Sequence, residues 1–207
     1  MVGERLTIGV LALQGAFREH VAMLSRLGVT AREVRLPEHL DDLEGLIIPG
    51  GESTTIGKLM GTYGLTEPLR AFVAERPVLG TCAGLIMLAQ RTTDTDQPLL
   101  RVMDITVRRN AFGRQVHSFE APVELRLVRG RSEIFPGVFI RAPWVEEVGE
   151  RVEVIATLEG HVVGVRQDHL VGVAFHPELT DDHRVHEYFL NMVAARVRTA
   201  DALSVGA

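Results

Sequence analysis

The sequence predicts an α/β protein of one domain, with a mainly parallel central sheet in its first half and antiparallel strands in its second. Three observations point there. Short apolar runs rich in branched residues recur in the first half, alternating with turns and helical patterns. In the second half, strand candidates follow one another closely with few helices between them. No repeat, low-complexity linker or block of like charge divides the 207 residues, so they are read as one domain, 1–207, with a core from about 6 to 197.

The first run, "RLTIGVLAL" (Arg5–Leu13), is continuously apolar and fits a strand buried on both faces. "GAFREHVAMLSRLG" then places Phe17, Val21, Leu24 and Leu27 on one helical face and stops at Gly28. "VTAREVRL" reads as a second strand, "GLIIPG" as a third and "PVLG" (Pro77–Gly80) as a fourth, followed by a helix from about Ala83 to Gln90. Six further stretches read as strands: "LRVMDITVRR", "QVHSFEAPVELRLV", "GVFIRAP", "RVEVIATLEG", "HVVGVRQDH" and "LVGVAFHPE". Gly160 is placed at a hairpin turn. A last helix is expected from about Asp181 to Arg198, with a fraying tail over 199–207.

Composition narrows the function classes. A net charge of −5 offers no basic face for nucleic acid. No apolar run approaches the roughly 20 residues that span a bilayer. The N-terminus, "MVGERLTIGV", lacks the basic and long apolar regions of a signal peptide, so a cytoplasmic protein is expected, without a membrane partner. One cysteine forms no internal disulfide, which fits a reducing compartment. Cys82 is then either a small core residue or a thiol with chemistry to do.

"LIIPGGESTTIGKL" (Leu46–Leu59) looks at first like a phosphate-binding loop. That loop needs Gly, four residues, then Gly-Lys and a hydroxyl residue. Here five residues separate Gly51 from Gly57, Leu59 follows Lys58, and Glu52 would set a carboxylate against phosphate. The plain alternative is a strand-to-helix turn capped by Ser53 or Thr54. Paired glycines at the carboxyl end of a parallel strand also let backbone N–H groups approach a ligand.

"PVLGTCAGLIMLA" carries the sharper signal. Gly80-Thr-Cys82-Ala-Gly84 is a nucleophile elbow with cysteine in place of serine. Small residues two before and two after the nucleophile permit a sharp turn between strand and helix. The helix N-terminus favours a thiolate, and the N–H of Ala83 can stabilise an oxyanion. A cysteine nucleophile needs a base and an orienting group. "VGVAFHPEL" supplies both: Pro177 biases His176 towards extended angles, and residues two apart in extended chain project to one side, which pairs His176 with Glu178. The competing reading is a capped turn before the last helix. Of the other histidines, His20, His39, His161 and His169 are expected at solvated positions, and His117 is left unassigned. His183 and His186, beside Asp181 and Asp182, fit an exposed helix face better than a metal site.

Gly80-Thr-Cys82-Ala-Gly84 with His176-Pro-Glu178 resembles the class I glutamine amidotransferases. "GVLALQGAFREH", "LIIPGGESTT", "RNAFGRQVHSFE", "GVFIRAP" and "FHPELTDDHRVHEYF" narrow the resemblance to the glutaminase subunits of pyridoxal phosphate synthases, over about Leu6 to Val197. His117 departs from the acidic residue expected there. The resemblance implies a flavodoxin-like three-layer sandwich and a triad of Cys82, His176 and Glu178. It implies that Gly51, Glu52, Ser53, Arg109, Ile140 and Arg141 bind L-glutamine, with the N–H groups of Gly51 and Ala83 as the oxyanion hole. It implies no cofactor and no metal, and a barrel-shaped synthase subunit as partner. From the residues alone, Arg109 and Arg141 fit solvated surface arginines equally well. A γ-glutamyl hydrolase or other cysteine hydrolase on the same fold, and a non-catalytic regulatory subunit, remain alternatives at this point.

Overall fold

The computed structural model describes residues 6–93, 96–112, 118–128 and 130–205. In chain order its elements are β1 (Thr7–Leu11), α1 (Phe17–Arg26), β2 (Thr30–Val34), β3 (Gly45–Ile48), α2 (Ser53–Thr62), α3 (Thr66–Glu75), β4 (Val78–Thr81) and α4 (Ala83–Leu88). There follow β5 (Ala89–Thr92), β6 (Met103–Arg108), β7 (Ser118–Val128), β8 (Arg131–Ile140), β9 (Trp144–Val148), β10 (Glu153–Leu158), β11 (His161–Gln167), β12 (Leu170–Val173) and α5 (Arg184–Val205).

The apolar runs without alternation become the centre of the sheet. β3, β4 and β12 are buried at every position, as strands covered on both faces must be. They lie in the parallel order β2-β1-β3-β4-β12, which is the flavodoxin-like order. Beyond β12 the sheet continues antiparallel through β11, β10, β7 and β8. β5, β6 and β9 branch from it, joined where Val145 of β9 pairs with Val162 of β11.

Alternation along β4 separates the outer layers. Gly80 faces α4: a β-carbon on it would lie 2.6 Å from backbone atoms of Gly84. Thr81 faces the other way, towards His20 of α1, which also meets His186 of α5. Gly45 of β3 lets Phe189 and Val193 of α5 close onto the sheet. Helices α1 and α5 thus share one face and α4 covers the opposite one, with α2 packed against it. Among the described residues no helix is long and apolar enough to cross a membrane.

Several boundaries differ from the sequence reading. Helix α4 stops at Leu88, and Ala89–Thr92 join the sheet beside β6. No element was assigned to Thr66–Glu75, which form α3. The strand read over Gly137–Pro143 ends at Ile140, and Trp144–Val148 make a separate strand. Helix α5 starts at Arg184 and runs to Val205, past Arg198, through alanine and leucine positions that favour a helix over a frayed tail.

The loops after β1 and β3 leave the sheet where the strand order reverses, and those after β4 and β12 emerge beside them. This is the carboxyl edge at which open parallel sheets bind ligands.

Candidate active site

β4 ends at Thr81 and α4 begins at Ala83, so Cys82 alone makes the turn. It does so at φ 49° and ψ −102°, a strained conformation for a residue with a side chain. Two features hold it there. The Cys82 N–H donates to the Val173 carbonyl of β12 at 2.8 Å. Gly80 and Gly84 touch, so the helix folds back directly over the strand. A β-carbon on Gly84 would also sit 1.9 Å from the Ile48 carbonyl oxygen. The elbow glycines are therefore required by close backbone approach.

Cys82 is 6% exposed, and its thiol lies 3.8 Å from the Ile140 carbonyl oxygen. His176, also almost buried, is anchored by its N–H to the Val138 carbonyl of β8 at 2.8 Å. Its Nδ1 lies 2.7 Å from Glu178 Oε1. The pair meets as expected but by another route: Pro177–Leu179 form a short 3-10 turn, and His176 has ψ near 87° rather than a full strand angle. The proline opens the turn, so the turn and not an extended chain brings the carboxylate back to the ring.

Burial acts to lower the His176 pKa. Its hydrogen bonds with Cys82 and Glu178, and the charges of both, outweigh that and raise it to about 10. Burial likewise opposes ionisation of Glu178, but the neighbouring His20 and the His176 hydrogen bond hold its pKa below the ordinary carboxylate value. The geometry therefore favours an imidazolium at His176 held against the Glu178 carboxylate.

The loop after β3 closes the other side. A β-carbon on Gly50 would lie 2.3 Å from His176 Cε1 and 3.2 Å from Cys82 Cβ, so only glycine leaves both side chains in place. The cap of α2 is Glu52, not Ser53 or Thr54. Its Oε2 accepts the Thr55 N–H at 2.9 Å and the Thr54 hydroxyl, and its Oε1 accepts from Arg109 at 3.1 Å. Burial of Glu52 works against ionisation, but the Thr54 and Thr55 hydrogen bonds bring its pKa down to about 2. Glutamate reaches this cap because its longer side chain bends back onto the first turn. Ser53 is instead buried and donates to Gln97 Oε1 at 3.1 Å. Lys58 is exposed and lines no part of the cavity.

A cavity of about 240 Å³ opens between these loops. Gly51, Glu52, Ser53, Cys82, Arg109, Ile140, Arg141 and His176 all line it. Arg109 is largely buried and paired with Glu52, not a solvated arginine, whereas Arg141 is exposed and held at φ 44°. Glu178 stands behind His176 and does not line the cavity. The sequence reading gave Gln14 no role in this pocket. It too lines the cavity, and its Oε1 accepts the Glu52 N–H at 2.7 Å. Its place just after the first parallel strand was the available signal.

Two histidines overturn their sequence assignment. His20 and His186, expected in solvent, are fully buried behind Glu178, with Nδ1 of His20 3.0 Å from Nε2 of His186. The helical face counted on Phe17, Val21, Leu24 and Leu27 is centred instead on His20, Met23 and Leu24. A polar residue on an apolar face reads as exposed until its partners are seen. His161 stacks on Trp144 at 3.7 Å, and His169 bonds to the Val73 carbonyl, so both are half-buried. His39 is half-buried as well, accepting the Arg35 N–H. His183 is exposed beside Glu187, as expected. His117 lies outside the described residues.

The model of the SNO glutamine amidotransferase family matches residues 10–195. The pyridoxal 5'-phosphate synthase subunit PdxT of Roseiflexus castenholzii is 56% identical over 191 residues, spanning 90% of this chain and 100% of that protein. The subunit of the same name from Corynebacterium jeikeium is 57% identical over 195 residues, 92% of this chain and 98% of that one. A crystal structure of a glutamine amidotransferase superposes with a TM-score of 0.84 at 52% identity, covering 90% of this chain and 98% of that chain. PurLQS from Thermotoga maritima shares the fold, with a TM-score of 0.67 at 14% identity over 91% of this chain and 99% of that one.

Proposed function

The chain belongs to the SNO glutamine amidotransferase family, and on that premise we propose that it is the glutaminase subunit of a pyridoxal 5'-phosphate synthase. It hydrolyses L-glutamine to L-glutamate and ammonia, and passes the ammonia to a barrel-shaped synthase subunit for vitamin B6 synthesis. The observation that carries this reading is Cys82, held in a strained elbow beside a His176 that is locked to Glu178 at 2.7 Å. A reactive thiol as the working group fits a reducing, cytoplasmic setting.

The reaction follows from the charge arrangement. The Cys82 thiolate attacks the side-chain amide carbon of glutamine. The negative charge moves to the amide oxygen, where the N–H groups of Gly51 and Ala83 receive it. His176 gives its Nε2 proton to the departing nitrogen, and the C–N bond breaks to leave ammonia and a γ-glutamyl thioester. His176, now neutral, takes a proton from water, and the hydroxide oxygen attacks the thioester carbon. The C–S bond breaks, glutamate leaves, and the thiolate–imidazolium pair is restored. Glu178 keeps the proton on Nδ1 throughout, so Nε2 always faces the substrate. Arg109, Arg141 and the Glu52 loop bind the amino-acid end of glutamine, whose carboxylate calls for a cation or backbone donors.

Glutamate release from L-glutamine, with and without purified synthase subunit, tests the reading. Release that the partner stimulates, and that vanishes in Cys82→Ala, supports triad, substrate and coupling together. No release from the wild type with a competent partner overturns it.

A further inference from the structure

The triad reading leaves two fully buried histidines without a task. His20 comes from α1 and His186 from α5, and they meet directly behind Glu178. Glu178 uses Oε1 for His176, while its buried Oε2 has no hydrogen-bond partner among the described residues. The nitrogen that faces Oε2 is His20 Nε2, at 3.3 Å. The same nitrogen is 3.1 Å from the Thr81 hydroxyl, which accepts the Gly50 N–H at 3.1 Å.

The protons can be assigned from the partners. A carboxylate only accepts, so a bare nitrogen facing Oε2 would be repelled; His20 therefore carries its hydrogen on Nε2. Its Nδ1 is then an acceptor and takes the Nε2–H of His186. Burial lowers the pKa of His20, with Glu178 opposing that and His176 adding to it, so the ring is a neutral donor and not a second cation. The titratable groups around His20 are Glu178 and His176 from the turn after β12, His186 from α5 and Glu19 on its own helix.

We propose that His20 is a positioning residue for the triad: its Nε2–H, bonded to the Thr81 hydroxyl, turns its positive end to the otherwise unpartnered Oε2 of Glu178 at 3.3 Å and, through Thr81, links that carboxylate to Gly50 of the loop facing Cys82. His186 fixes the tautomer that makes this possible. A residue that merely filled space at this position would need no nitrogen, and full burial of an imidazole is costly unless its hydrogen bonds are used.

The chain has one cysteine, so the pH profile of alkylation by iodoacetamide reads Cys82 alone. That readout needs neither glutamine nor a partner. The inference rests on the proposed triad, but a wrong substrate would leave the alkylation result intact, whereas glutaminase activity surviving in Cys82→Ala would sink the triad itself. Three variants are compared in the full chain. His20→Leu removes the donor. His20→Gln presents an amide nitrogen near the Nε2 position, and His20→Asn falls short of it. In His20→Leu and His20→Asn, the alkylation midpoint moves up by about one pH unit. In the partner complex, kcat falls about tenfold while KM stays within about twofold. His20→Gln stays near wild type on both readouts. A wild-type alkylation profile in folded His20→Leu, or an equal loss in His20→Gln and His20→Asn, overturns the proposal. If His20→Leu does not fold, the Gln and Asn pair decides the matter by itself.

Discussion

Nδ1 of His176 lies 2.7 Å from Oε1 of Glu178, and the two face each other across a single proline-initiated turn. The carboxylate holds the ring's tautomer and stabilises its positive form. Glu178→Gln keeps the shape but presents a neutral group that no longer demands a hydrogen on Nδ1. Partner-stimulated kcat is expected to drop by about 100-fold or more, with KM little changed. Steady-state glutamate release measures it, and a loss confined to KM would contradict the role.

Gly50 and Gly84 are both tightly packed, but against different things. An alanine methyl at residue 50 would press on His176 and Cys82, whereas one at residue 84 would press on the backbone of Ile48. Gly50→Ala should therefore lower turnover by about 100-fold, the scale of a 1 Å misplacement, while unfolding changes little. Gly84→Ala should cost about 2 kcal/mol or more of stability, because a backbone cannot step aside as a side chain can. Urea melts beside activity assays separate the two outcomes.

Arg109 lines the cavity and pairs with Glu52 at 3.1 Å. If it binds the carboxylate of glutamine, it does so equally in ground and transition states. Arg109→Ala then raises KM by about tenfold or more with a smaller effect on kcat. A fall in kcat at unchanged KM would move Arg109 from substrate binding to the chemistry.

His186 predicts an acid-side instability. Burial, with His20 adding to it, lowers its pKa from 6.5 to about 3 in the fold. The unfolded chain therefore takes up a proton below pH 6.5 that the folded chain refuses. Stability conferred by the neutral ring is present above 6.5 and is lost as pH falls towards 3. His20 is shifted the same way and adds to the slope. His186→Leu should flatten the decline between pH 6.5 and 5 by about 1 kcal/mol per pH unit. Urea unfolding midpoints at pH 7, 6 and 5 check it; parallel declines in both proteins would count against a neutral buried His186.

Much of the site was legible because local chemistry demanded it. Gly80 and Gly84 bracket Cys82 for a steric reason that operates within five residues, and Pro177 binds His176 to Glu178 through a turn only three residues long. Glu52 as helix cap was missed because shorter side chains are the usual caps, and the reach of a glutamate back to Thr55 shows only in three dimensions. The sequence reading ends α5 too early because residues 199–205 carry little apolar periodicity.

The sequence by itself determined the parallel core, the elbow and the pairing of His176 with Glu178, since each depends on contacts between near neighbours in the chain or on continuous apolar runs. Only the tertiary structure decided that His20 and His186, 166 residues apart, meet behind Glu178, and that Gln14 reaches the loop after β3. Those contacts are set by strand order and helix packing, which bring distant segments to one sheet edge. A single sequence carries no local signal of which polar side chains will be buried there together.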